Sequence, residues 1–342
     1  MLVKLVQRDL LSCEAIVRRA PNNELIIAGQ CGDVTEPAPL NRVYVWHSAD
    51  DGNTWSKRIL VHPEDGRAVY QTELTRIGDE LFMFITLHDG GFCNFDCRIY
   101  KSVDSGYTWK DAGKVPFIDG FVFVRGGIKV GDNWLFPYQN YPISKHEDHI
   151  LSQRKAKIWE SQIEYVETGV LFADKNGNFY KRGNDIKLPL WKDGKKRWVW
   201  SEPTIAELSN GDLIMFMRVD GEGCLYKSLS NDGGLNWSEP EPTNIPNPSN
   251  KPKLIKMTNG DIALLNTPTK NTMANAGHSM NSRFPLEVWI SSNDTKTWDY
   301  KKSLTTFPGW VSYPDGFIEN DELYVAFEFN RHDIYFIKTK LD

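Results

Sequence analysis

The chain has 342 residues and a net charge of -5, with 40% hydrophobic and 25% charged side chains. This is ordinary globular composition, with a core large enough to need no covalent staples. The acidic balance excludes nonspecific attraction to nucleic acid or to an anionic membrane, because both require a basic surface. Five cysteines, at positions 13, 31, 93, 97 and 224, are an odd number without framework spacing, which argues for a reducing, cytoplasmic setting over a disulfide-built secreted protein.

In chain order, Met1 to Leu11 meets charge at Lys4 and Arg8 and reads as neither a signal peptide nor a membrane span. Beyond it, twelve Trp, thirteen Tyr and seventeen Phe favour strands over helices. The alternating run Val43-Tyr44-Val45-Trp46 leads into Ser48-Ala49-Asp50-Asp51-Gly52-Asn53-Thr54-Trp55. That octet recurs as Ser102 to Trp109 and, with Asn236 for the Thr, as Ser230 to Trp237. A weaker copy, Ser291 to Trp298, has Asn293 for the Asp and Thr295 for the Gly. Another, Ala173 to Tyr180, keeps Gly177 and an aromatic end. Each octet predicts a hairpin turn in which Asp accepts backbone N–H groups, Gly supplies a positive φ and Trp packs inward. Pro142 to Arg197 is the least regular stretch. Its charged clusters, Ser144 to His149 and Lys192 to Arg197, read as solvated loop faces, one of them a possible lid. His88, Cys93 and Cys97 are ligand types without a second cysteine pair, so no metal is expected. No phosphate-binding loop or dinucleotide fingerprint predicts a cofactor.

A short hydrophobic strand centred on Leu25, Leu81, Leu135, Leu213 or Ile262 precedes each octet, and a sixth centred on Leu323 has none after it. Six units then cover residues 1–342 as one domain. The last supplies strands at about 309–317, 322–329 and 333–340, residues 2–7 add its fourth strand, and Asn330 to Asp333 makes a turn on the outer or lower rim. Ten or eleven residues before each central position stand Glu14, Gln71, Arg125, Glu202, Lys251 and Tyr313. Five residues after it stand Gln30, Thr86, Asn140, Arg218, Thr267 and Glu328. All twelve are polar. At the ends of inner strands they would converge on one concave mouth, the usual setting of a ligand site, although strand ends bordering a solvated channel would be polar in any case. His88 and Asp89, with Tyr138 to Tyr141, are expected at the same mouth.

The Ser-x-Asp-x-Gly-x-Thr-Trp octets, 54 to 71 residues apart, are Asp boxes, and the chain resembles the sialidase (neuraminidase) superfamily. The resemblance implies an all-β, six-bladed β-propeller of four-stranded antiparallel blades, with the boxes on the blade rim. It also implies roles for residues in matching order and spacing. Tyr313 is the nucleophile, Glu202 takes its proton, Arg218 and Arg283 grip a substrate carboxylate, and Asp33 is the nearest candidate for the general acid. A phenol suits a reacting carbon that bears a carboxylate, because it approaches neutral and is activated by an adjacent base. A guanidinium fork suits the carboxylate itself. The superfamily's first Arg has no counterpart, because that stretch reads Ser12-Cys13-Glu14-Ala15-Ile16. Glu14 there would oppose a substrate carboxylate unless protonated or paired with a cation such as Arg125 or Lys251, and Glu328, which steadies that Arg in the family, needs a new partner.

The leading expectation is an exo-acting, retaining glycoside hydrolase that removes a terminal acidic sugar: a sialic, other ulosonic or uronic acid. Tyr313, Glu202 and Asp33 are catalytic, and Arg218, Arg283, Glu328, Glu14, Arg125, Lys251, His88, Gln71 and Tyr138 bind the substrate. Two alternatives stay open. One is a polysaccharide lyase in which Tyr313 or His88 removes the proton α to a uronate; the other is a carbohydrate-binding propeller without catalysis.

Overall fold

A computed structural model describes residues 1–270 and 283–341. Short strands, several of them buried along their whole length, pair into six antiparallel sheets, the blades of an all-β six-bladed propeller. Blade one runs Ser12–Arg19, Leu25–Cys31, Arg42–Ser48 and Ile59–Leu60. Blade two runs Ala68–Ile77, Glu80–His88, Asp96–Ser102 and Lys110–Lys114. Blade three runs Phe121–Val124, Asn133–Tyr141, Tyr165–Ala173 and Phe179–Arg182, with Ile128–Val130 and Ile186–Pro189 as added strands. Blade four runs Thr204–Glu207, Leu213–Arg218, Cys224–Ser230 and Glu241–Pro246. Blade five runs Lys253–Lys256, Ile262–Asn266, Glu287–Ser291 and Tyr300–Ser303. Blade six takes Val311–Glu319, Glu322–Phe329 and Asp333–Lys340, and its fourth strand is Leu2–Arg8, paired antiparallel to Asp333–Lys340. The expected N-terminal closing strand is therefore present.

The octets are turns, as their chemistry predicts. Asp50 Oδ1 accepts from the Ser48 hydroxyl and the Thr54 N–H, each at 2.8 Å, and Ser48 Oγ accepts the Gly52 N–H at 2.8 Å. The same bonds recur at Asp104 and Asp232. Gly52 has φ 92°, and a Cβ there would lie 2.1 Å from the Phe336 ring, so both conformation and space require glycine. Near residue 173 the register is one residue earlier than alignment on Gly177 suggests. Asp174 supplies the carboxylate and accepts from the Asn178 N–H and side-chain amide, both at 2.9 Å.

The chain forms two compact units. The first comprises 1–124, 140–163 and 319–342. Its core packs Ile16, Ile26, Val45, Leu74, Leu81 and Met83, with the box residue Trp109 against it. The second comprises 125–139 and 164–318. Its core packs Ile214, Phe216, Leu254, Leu264 and Trp289, with Trp298 against it. Neither charged cluster of the irregular stretch is a plain loop. Ser144 caps a helix, Lys145–Gln153, by accepting the Glu147 N–H at 3.1 Å. In that helix Asp148 is buried and accepts the Asn94 N–H at 2.8 Å. The second cluster forms a hairpin of Trp191–Lys192 with Lys195–Lys196.

Candidate functional site

Eleven of the twelve polar strand-end residues are buried, and Tyr313 is half-buried. Exposure to a solvated channel therefore does not explain their polarity. Buried polar groups persist only when bonded to one another or to a ligand.

In the second unit, Arg218 ends a buried strand and is only 4% exposed. Its Nε and Nη2 both donate to Oδ1 of Asp220, at 3.1 and 2.6 Å. That anchor leaves Nη1 toward Glu202 Oε2 at 2.9 Å and the Tyr313 hydroxyl at 3.5 Å. Arg125 Nη2 approaches the other Glu202 oxygen at 3.5 Å. Burial opposes the Arg218 charge, but Asp220, Glu202 and Tyr313 outweigh it and hold its pKa well above the ordinary value. The Arg283 guanidinium lies 5.2 Å from the centre of the Tyr313 ring and Lys251 Nζ 5.5 Å from it. Arg283 is fixed by donating to Ser312 Oγ at 2.7 Å and to the Ser249 carbonyl at 2.6 Å. Cations around a phenol favour its phenolate, and Glu202 offers a carboxylate at the same guanidinium.

In the first unit, Glu14 is 1% exposed. Its carboxylate accepts from the Tyr70 hydroxyl at 2.7 Å, its carbonyl accepts from Gln71 Nε2 at 2.5 Å, and its N–H donates to Glu328 Oε2 at 3.2 Å. Arg331 Nη1 lies 3.5 Å from Glu328 Oε1, and Nη2 binds Glu36. The turn expected on the outer or lower rim thus brings its arginine to Glu328, because Glu322–Phe329 carries the chain back toward the end where Glu328 stands. Arg331 is the new partner that Glu328 needed.

One backbone device occurs three times. Glu14, Glu202 and Tyr313 have φ of 52°, 36° and 51°, a region that side-chain-bearing residues rarely enter and that costs about 1–3 kcal/mol each. Each N–H is captured by a side chain: Glu328 for Glu14, Gln139 Oε1 for Glu202 at 2.5 Å, and Asn250 Oδ1 for Tyr313 at 3.1 Å. Of these capturing residues Glu328 belongs to the strand-end pattern, whereas Gln139 and Asn250, with Asp220, Tyr70 and Arg331, escape it. Asp220 had a signal in its spacing, two residues beyond Arg218.

Two expected site residues are elsewhere. Tyr138 is fully buried; its hydroxyl donates to Asp185 and accepts from Arg182 Nε at 2.6 Å. Neighbours on a strand face opposite ways, so Gln139 and not Tyr138 reaches Glu202. His88 is also fully buried, and its Nδ1 accepts the N–H groups of Gly90 at 3.0 Å and Phe92 at 3.3 Å. Burial, then the charges of Lys157 and Arg42, push it down to about 3. It is a neutral turn anchor and not an acid or base near neutral pH. Asp33 is half-buried and accepts the N–H groups of Val34 at 2.8 Å and Leu40 at 3.4 Å within its own loop. Among the described residues no three His, Cys, Asp or Glu side chains are grouped to hold a metal.

A family model described as a BNR repeat-like domain matches residues 39–325. The chain belongs to this family. Its sequence is 27% identical over 164 residues to a sialidase of Vibrio cholerae, covering 42% of this chain. The chain spans only about a fifth, 20%, of that relative's length. A Hadza microbial sialidase superposes with a TM-score of 0.73 at 15% identity, covering 99% of this chain and 68% of that one. A leech intramolecular trans-sialidase complexed with 2,7-anhydro-Neu5Ac gives 0.68 at 15%, covering 98% and 69%. An α-L-arabinanase of Penicillium chrysogenum, complexed with arabinobiose, gives 0.62 at 12%, covering 99% and 98%. The superfamily resemblance carried by the Asp boxes holds for this BNR-repeat chain.

Proposed function

We propose that this BNR-repeat protein is a sialidase-like, retaining exo-glycoside hydrolase acting on a terminal acidic sugar, with Tyr313 as nucleophile. The observation that carries the reading is the placement of the Tyr313 hydroxyl and the Glu202 carboxylate on one nitrogen of Arg218, with Arg283 and Lys251 beside the phenol ring. In this mechanism Arg218 and its cationic neighbours lower the cost of the phenolate, and Glu202 takes the proton as Tyr313 attacks the anomeric carbon. The bond to the leaving oxygen breaks as that oxygen gains a proton from a general acid, and water later releases the sugar from Tyr313 with retention. Arg218 acts mainly on the reacting groups, since its Nε–Nη2 edge is engaged by Asp220. Arg283 and Lys251, beside the phenol ring, are the cations assigned in this reading to the substrate's negative charge.

The test is turnover of 4-methylumbelliferyl glycosides of sialic, other ulosonic and uronic acids by the wild type and Tyr313→Phe. The variant is expected to lose at least about 10³-fold in kcat with a nearly unchanged KM. Undiminished turnover by Tyr313→Phe overturns the nucleophile assignment. A lyase would instead leave an unsaturated product that absorbs in the near ultraviolet, with Tyr313 as its base.

A further inference from the structure

Residues 186–200 carry a surface that the Tyr313 chemistry does not use. In Ile186 to Trp191 the even-numbered residues, Ile186, Leu188 and Leu190, are buried, while Lys187, Pro189 and Trp191 face solvent. Trp191 is 50% exposed and opens the hairpin in which Lys192 pairs with Lys195. The turn residues, Asp193 and Gly194, both have positive φ, 51° and 73°, as a tight two-residue hairpin turn requires. Between 187 and 197 there are five cations against one carboxylate, Asp193, in a protein whose net charge is negative.

A hairpin this short is marginal by itself, and this one is fastened beside the catalytic segment. Glu222 accepts from Lys192 Nζ at 2.7 Å and Arg197 Nη1 at 2.7 Å. Arg197 also donates to the Asp220 carbonyl at 2.8 Å, and the Trp200 N–H donates to Asp220 Oδ2 at 2.8 Å. Asp220 is the residue that anchors Arg218. A solvated charge run needs no ordered turn, no tether and no large aromatic turned outward. Rigid amphipathic aromatics with nearby cations are instead the features by which protein surfaces grip polar, anionic ligands.

We propose that the exposed face formed by Lys187, Trp191 and Lys195 is a binding site for an acidic polysaccharide, which holds the extended chain whose terminal sugar enters the Tyr313 site. The inference rests on the reading of that site as one for an acidic sugar, and it makes the substrate a long anionic glycan. Trp191 stacks on a sugar face, and the lysines meet carboxylates or sulfates along the chain.

The test is affinity electrophoresis of the full chain in gels containing polygalacturonate, dextran sulfate, neutral dextran or single-stranded DNA. Retardation by polygalacturonate or dextran sulfate, and not by dextran, is expected; which of the two retards more tells uronate from sulfate recognition. Trp191→Ala and the double variant Lys187→Glu/Lys195→Glu should each weaken retardation about tenfold, equivalent to about 1.4 kcal/mol, with unchanged melting temperatures, while Tyr313→Phe leaves it intact. Absence of retardation by both polyanions, or equal retardation of both hairpin variants, overturns the proposal. Equal retardation by DNA overturns the glycan assignment. Turnover of the small 4-methylumbelliferyl glycosides reports on the Tyr313 site separately: if it persists while retardation is absent, only the surface proposal fails. If retardation is present without turnover, only the catalytic reading fails.

Discussion

Asp220 holds Arg218 through one carboxylate oxygen, Oδ1, which accepts from both Nε and Nη2, while Oδ2 accepts the Trp200 N–H. This fixes the guanidinium so that a single nitrogen, Nη1, serves Glu202 and Tyr313. In Asp220→Asn one acceptor face remains but the charge is gone, and the amide cannot satisfy both donors of Arg218 and the Trp200 N–H equally well. The expected outcome is a fall in kcat of about 10²-fold with a smaller change in KM, since a displaced guanidinium is felt most in the transition state. Asp220→Glu should recover part of it. Steady-state kinetics on an acidic-sugar glycoside make the comparison.

His88 gives the fold an acid-sensitive element. Its folded-state pKa, about 3, lies below the unfolded value near 6.5. The unfolded chain therefore takes up a proton in this window that the folded chain does not. Stability rises with pH wherever the unfolded state binds more protons, so the contribution present above pH 6.5 is lost as pH falls toward 3. Between pH 7 and 5 the loss is about 2 kcal/mol by linkage. His88→Asn keeps an acceptor for the two N–H groups and removes the titration. Urea unfolding at the two pH values should show that smaller drop in the variant.

Thr295 stands where the fuller Asp boxes have glycine, and it has φ 65°. A β-branched residue in that region is strained by about 1–2 kcal/mol. Thr295→Gly is expected to stabilise the protein by about 1 kcal/mol, less the extra entropy glycine gives the unfolded chain. The reverse change at an intact box, Gly106→Thr, should destabilise strongly, because a Cβ there meets Ile26 Cδ1 at 2.4 Å. Thermal melts of the pair should move in opposite directions.

Arg331 approaches two carboxylates, Glu328, whose side chain is 0% exposed, and Glu36, whose side chain is 10% exposed. Removing a cation from buried carboxylates costs more than the pair itself contributes. Arg331→Ala is expected to destabilise by about 2–3 kcal/mol in chemical unfolding, and Arg331→Lys by less, since it restores charge without the fork.

Much of the architecture was legible because its signals are local. An Asp box closes on its own residues, from Ser48 to Thr54, and strand alternation is written in neighbouring side chains, so the repeat and the propeller can be read along the chain. The same periodicity marked Glu202, Arg218 and Tyr313 as candidates, whereas Arg283 came only from the superfamily resemblance. Which side chains turn toward one another was decided only in three dimensions. A one-residue step separates Gln139, which holds Glu202, from Tyr138, which is buried against Asp185. Arg331 reaches Glu36 from 295 residues away, a partnership no periodicity marks. Asp220 became an anchor because a bend after Arg218 returns its carboxylate to the guanidinium. Residue type and spacing are properties of the chain, whereas burial, charge pairing and the left-handed backbone at Glu14, Glu202 and Tyr313 depend on neighbours that only the folded structure supplies.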